Sequence, residues 1–311
     1  MKLVRFVGNG EVRIGALVDE QIVDIGVALT DYAASNSVDI SAFGPGLVYG
    51  GGSMRAFLTA GLHTNTVIRD AVAAAITKGG SEPLLSPADS IELLAPIDDP
   101  QKLICIGQNY KDHCEEQNQP IPERAIIFTK FATCIAAPGQ PIVLPDISEQ
   151  VDYEAELAFV VGKRAKKVSE ADAPAYIAGY MCLNDVSARD IQMHPAEKQW
   201  IRGKSPDTFA PIGPALVTSD EIPDPHNLDI SLTLNGFEMQ KSNTSNLIFG
   251  INYLLSYLSL SITLEPGDIV TTGTPGGVGV FRNPQVFLKE GDVVDVIISR
   301  IGTLTNPVIH E

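Results

Sequence analysis

Glu154 and Glu156 stand two residues apart in the run VDYEAELAFVV (151–161). A strand alternates its side chains, so both carboxylates project from one face while Ala155, Leu157 and Phe159 take the other. Side by side they repel, and burying them without compensation is costly, a conflict that a cation between them relieves. An exposed polar face on an edge strand is the competing reading of the same spacing. In YMCLNDVSARDIQ (180–192) an apolar strand runs into Asn184 and Asp185, then into Ser187, Arg189, Asp190 and Gln192. Glu154, Glu156 and Asp185 together form an all-oxygen ligand set, which suits Mg2+ better than Zn2+ and leaves Mn2+ and Ca2+ open. Asp185 taken alone reads equally well as a turn or helix cap.

A base and a cation have candidates too. In IGQNYKDHCEEQN, His113 and Glu116 are three apart and share a face if the segment after Asn109 is helical. A carboxylate beside an imidazole fixes its tautomer and raises its basicity, as a general base requires; a solvated surface pair is the alternative. Lys204 sits in a Gly-Lys-Ser turn ahead of apolar Phe209 and Pro211, where it can hold a substrate carboxylate, polarise a carbonyl, or simply be solvated. The strand-like IVTTG runs into Thr274, Gly276, Gly277 and Gly279, which permit close backbone approach to a ligand or form plain turns. The text is not a nucleotide-binding P-loop, because G-x-x-x-x-G-K-[ST] is absent and no helix start follows.

These groups must be placed by strands. LICIG, AIIFTK, ELAFVVG, YMCLND, DISLTLNG, DIVTTG and DVVDVII are each bounded by Gly, Pro, Asn or Asp, while helical patterns are short: about 109–117, 169–177 behind Ser169-x-x-Asp172, and 246–258. Ahead of them, residues 2–25 alternate as two or three short strands, a Gly-rich stretch covers 44–52, and 54–77 has helical spacing. Pro, Gly, Ser and Asp crowd 78–100, the composition of a connection. The expected organisation is a small N-terminal accessory domain with linker, 1–95, and a mostly β (α+β) catalytic domain, 96–311.

Lys plus Arg number 22 against 38 Asp plus Glu, and the net charge of -16 argues against general attraction to nucleic acid or anionic lipid. An anionic substrate therefore needs a local cationic site. The four cysteines show no C-x-x-C spacing, which fits a reducing compartment. No segment reaches bilayer-spanning length and the start lacks a signal-peptide core, so the expectation is cytoplasmic, or mitochondrial if a presequence has been removed.

Taken together, IGQNYKDH, the Glu-x-Glu of DYEAELA, NDVSARDIQ, GKSPDTFAPIGPALV, DPHNLDISLTLNG and TTGTPGGVG resemble the fumarylacetoacetate hydrolase superfamily from about 100 to 309, in order and spacing. DHCEEQN, QM…KQW and GVFRNPQVFLKEGD are most similar to the animal domain-containing-protein-2 group of that superfamily and its bacterial relatives. The resemblance implies a mixed β-sandwich roll that forms a homodimer, with a small N-terminal α/β unit. It implies Mg2+ on Glu154, Glu156 and Asp185, and substrate contacts from Lys204 and Thr274. His113 and Glu116 become the catalytic dyad, carried on a lid, and Arg189 and Gln192 occupy substrate-contacting or supporting positions. Met193 to Lys198 and the 117–125 loop shape substrate choice. The implied activity is C–C hydrolysis of a small acidic 1,3-dicarbonyl or acylpyruvate, through an enolate. Oxaloacetate tautomerisation or decarboxylation at the same site is the alternative, and a catalytically silent binding protein the lesser one.

Overall fold

The structure, a computed structural model, describes residues 1–43, 51–79, 84–196 and 199–311. Part of the Gly-rich 44–52 stretch, part of the 78–100 connection, and Glu197 and Lys198 lie outside the described residues.

A large sheet carries the site. From one side its strands run Ala210–Thr218, Ile177–Asn184, Ala155–Val161, Ile269–Thr271, Leu103–Gly107 and Ile126–Lys130. Ala155–Val161 is central and buried along its whole length, which is why it reads AELAFVV, nearly all apolar instead of alternating. The edge-strand reading of Glu154 and Glu156 therefore fails. A second sheet, ordered Phe237–Asn243, Asp229–Leu234, Val293–Ile298, Gly302–His310 and Ile142–Leu144, packs against the first, so the core lies between two β layers. This mixed β architecture agrees with the fold class expected from the strand-rich text.

The N-terminal strands Lys2–Gly8, Glu11–Val18 and Gln21–Asp24 extend the first sheet, since Lys2 and Leu3 pair antiparallel with Val217 and Leu216. The helix Ile25–Asn36 follows without a break, a helix not expected from the strand-like text before it. Asp24 ends the last strand and caps the helix, its carboxylate accepting from Val27 N at 3.0 Å. The pattern at 54–77 divides into Met54–Thr59 and Thr66–Lys78, the second burying Ile68, Ala71, Val72 and Ala75 at helical spacing. The expected helix at 169–177 is instead a Ser169–Asp172 turn and the short 3-10 segment Ala173–Tyr176, because Ser169 and Asp172 bond each other at 2.7 Å and close the turn locally. The helix expected near 246–258 forms at Ile251–Ser261.

Candidate active site

Strand register assembles the acids. Ala155 pairs with Asn184, Glu156 with Leu183, and the amide of Asp185 donates to the carbonyl of Glu154 at 2.9 Å. Glu154, Glu156 and Asp185 are all buried, and ligand oxygens from the three lie within 4.8 Å of one another. Glu156 accepts from the amide of Gly273 at 2.8 Å. That residue has φ +90°, and an added Cβ would meet Ile106 O and Asn109 Cβ at 3.0 Å, so the close approach calls for glycine.

Three buried cations face the cluster. Lys204 Nζ donates to Glu154 at 2.8 Å and to Asp185 at 2.9 Å; it ends the short helix Ile201–Lys204, and its near-complete burial removes the competing reading of a solvated turn lysine. Lys130 donates to Asp185 at 2.6 Å and to Val186 O at 3.0 Å. Arg189 divides itself among Asp152 at 2.8 Å, Glu154 at 2.7 Å and Gln192 Oε1 at 2.9 Å, so it positions other groups with every arm of its guanidinium. Asp152 in turn accepts the amides of Gly279 and Val280 at 2.8 and 3.0 Å, tying the Gly-rich loop to the same network. Lys130 and Asp152 were not singled out in the sequence. Their one available signal was a charge embedded in an apolar run, IIFTKF and QVDYEA.

The charges are unevenly satisfied. Burial pushes the Glu154 carboxyl up, but Lys204 and Arg189 more than offset it and hold it at about 2. Burial, reinforced by Asp185 and Glu154, pushes Glu156 well above the usual carboxylate range. A divalent cation fits such a site, because it neutralises Glu156, which forms no ion pair with a lysine or arginine among the described residues.

The dyad stands across the cavity. In the helix Lys111–Glu116, His113 Nδ1 lies 2.7 Å from Glu116 Oε1, while Glu116 Oε2 accepts the amide of Gly277 at 2.8 Å. His113 is buried, so the surface-pair reading falls. One cavity of about 420 Å³ is lined by His113, Glu154, Glu156, Arg189, Gln192, Lys204 and Thr274. Thr274 Oγ1 accepts from Gln240 Nε2 at 2.8 Å, and Gln240 Oε1 accepts the amide of Ala155, so the threonine is fixed to the acid-bearing strand. From the expected specificity segments, Gln117, Met193, His194 and Pro195 also line this cavity.

The family model for the fumarylacetoacetate (FAA) hydrolase C-terminal domain matches residues 102–309. The chain belongs to the fumarylacetoacetate hydrolase family. Among curated members it is 48% identical over 285 residues to oxaloacetate tautomerase fahd2, mitochondrial, of Xenopus laevis, covering 92% of this chain and 86% of that protein. Among solved structures of the family, the fumarylacetoacetate hydrolase of Exiguobacterium antarcticum superposes with a TM-score of 0.80 at 31% identity, covering 100% of both chains. The maleylpyruvate hydrolase of Sphingobium sp. SYK-6, solved with manganese (II) and pyruvate, gives 0.76 at 29% identity, covering 100% of this chain and 99% of that one. Fumarylacetoacetate hydrolase family membership is thus shared with tautomerases and hydrolases alike. The frog relative's name carries a mitochondrial address.

Proposed function

We propose that this chain catalyses keto–enol tautomerisation of a small acidic 2-oxo compound, with oxaloacetate as the substrate suggested by the name of a relative 48% identical to it. The observation that carries the reading is the cavity itself, in which the His113–Glu116 base faces the Glu154–Glu156 acids and the Lys204 ammonium. Tautomerisation needs a proton moved between a carbon and the neighbouring oxygen, with no bond made to water. A divalent cation held by Glu154, Glu156 and Asp185 supplies, when bound, the Lewis acidity that lowers the energy of an enolate. His113, oriented by Glu116, removes or returns the proton at the carbon next to the carbonyl. Lys204, Thr274 and the Gln192 amide orient the substrate's oxygens, and Arg189 holds Glu154 and Gln192 in place. Mg2+ is the cation proposed, and the manganese in a solved relative supports a hard divalent ion in general.

C–C hydrolysis of an acylpyruvate is the second reading, favoured by the pyruvate held in the maleylpyruvate hydrolase relative. There water adds to the distal carbonyl, the C–C bond breaks, and the proton taken from water is returned to the departing carbon. Decarboxylation of oxaloacetate uses the same groups, and a silent binding role leaves the dyad without a purpose. The homodimer and the 1–95 accessory unit belong to this proposal as well. The deciding experiment compares enol-oxaloacetate ketonisation, acylpyruvate hydrolysis and oxaloacetate decarboxylation on one preparation with Mg2+. Ketonisation should have the highest kcat/KM; a hydrolysis or decarboxylation rate above it would overturn the tautomerase reading.

A further inference from the structure

Trp200 and Phe128 line two cavities at once. On one side they wall the active cavity beside Gly107 and Lys204; on the other they bound an apolar groove of about 590 Å³ formed with Ile104, Ile126, Ile127, Ile201 and Ile262. Their rings meet edge to face, with centroids 5.3 Å apart at 73°. The indole is also pressed against the strand Leu103–Gly107, since a Cβ at Gly107 would lie 2.6 Å from Trp200 Cζ3. From behind, the wall is tied to the site's cation: the amide of Lys204 donates to Trp200 O at 3.0 Å, and Lys204 Nζ stands 5.2 Å from the centre of the Phe128 ring.

We infer that Trp200 is a specificity-determining residue whose indole, backed by Phe128, ends the active cavity and confines the substrate to short acids. The inference rests on the 2-oxo-acid reading above and says which members of that class are admitted. Without the ring, the active cavity and the groove become continuous, and the isoleucines beyond offer an apolar channel to an acyl or alkyl tail. Each methylene buried there is worth about fourfold in affinity, so a chain of a few carbons gains about tenfold or more.

The probes are oxamate, an unreactive 2-oxo-acid mimic, and its N-ethyl, N-butyl and N-hexyl derivatives. Their binding is measured by calorimetry with Mg2+ present, on the parent, Trp200→Phe, Trp200→Leu and Trp200→Ala proteins, with melting temperatures as a folding check. The ratio of N-hexyloxamate to oxamate affinity should rise by about tenfold or more in Trp200→Ala, rise less in Trp200→Leu, and stay near the parent's in Trp200→Phe. Should Trp200→Ala not fold, the same rise is required of Trp200→Leu. Trp200 is the only tryptophan of the chain, so binding of oxamate in the cavity that it ends should also change the parent's intrinsic emission. Tight oxamate binding with a length ratio unchanged in the folded variants overturns the inference alone. A parent that binds no oxamate overturns it together with the 2-oxo-acid reading.

Discussion

Lys130 Nζ lies 2.6 Å from Asp185 Oδ1, with both side chains fully buried. Removing one partner of such a pair leaves the other charge stranded in the interior. Lys130→Met is therefore expected to destabilise the protein by about 3 kcal/mol, softened only where Lys204 still reaches Asp185. Urea unfolding of the metal-free protein measures this, and a midpoint equal to the parent's would contradict the pairing.

Glu156 predicts the reverse sign. Burial and its two acidic neighbours work against its charge, so Glu156→Gln should stabilise the metal-free protein while weakening cation binding. Thermal melts with and without Mg2+ separate the two effects: the parent should gain stability from the ion and the variant should gain much less. Extensive chelation of the parent should abolish turnover. Full activity after chelation would remove the case for a metal at these acids.

Lys204 has two duties that one substitution can divide. Its ammonium neutralises Glu154 and Asp185, and it also lines the cavity. Lys204→Met should bind Mn2+ at least as tightly as the parent, because a competing positive charge is gone. Affinity for oxamate should nevertheless fall by about 1.5–3 kcal/mol, the size of a lost charge-assisted contact. Weaker Mn2+ binding with unchanged oxamate affinity would reverse both assignments.

His113→Ala removes the base but none of the acids. Ketonisation of enol-oxaloacetate should drop on the order of 100-fold, with Glu116→Gln causing a smaller loss because the amide can still orient the ring. Acylpyruvate hydrolysis, if present, should suffer at least as much, since water attack depends on the same base. Ketonisation surviving His113→Ala at the parent's rate would mean that another group moves the proton.

Two histidines outside the cavity lining give the stability a pH slope. Burial holds His63 and His226 below the usual histidine value of 6.5, and His226 Nε2 accepts the amide of Ile251 at 2.9 Å, which a protonated ring cannot do. A depressed native value means that the unfolded chain binds protons first, so their contribution is complete above pH 6.5 and is lost as the pH falls through the native values. Glu156, shifted upward, acts in the opposite direction, so the useful quantity is a difference between proteins. His226→Gln keeps an acceptor for Ile251 and should lose less stability than the parent between about pH 7.5 and 5.5. Equal losses in the two proteins would show that this imidazole is not a contributor.

Short-range periodicity alone made several parts of the site legible. A two-residue repeat put Glu154 and Glu156 on one face, a helical repeat put His113 beside Glu116, and strand-breaking residues marked most of the sheet. These relationships are set by the geometry of a single element, which nearest neighbours in the chain specify. What the acids are buried against was decided elsewhere. Lys130 reaches Asp185 across 55 residues and Arg189 reaches Asp152 across 37, pairings that exist only once strand register is fixed. The same holds for Lys204, whose local sequence fits a substrate-holding cation and a solvated turn alike, and for Trp200, which becomes a wall because Gly107 leaves room for it. Local spacing determines which side chains can share a face. Only closure of the two sheets determines whether that face meets water, a counter-charge or a substrate, because the cost of burying a charge depends on every group around it and not on its neighbours in sequence.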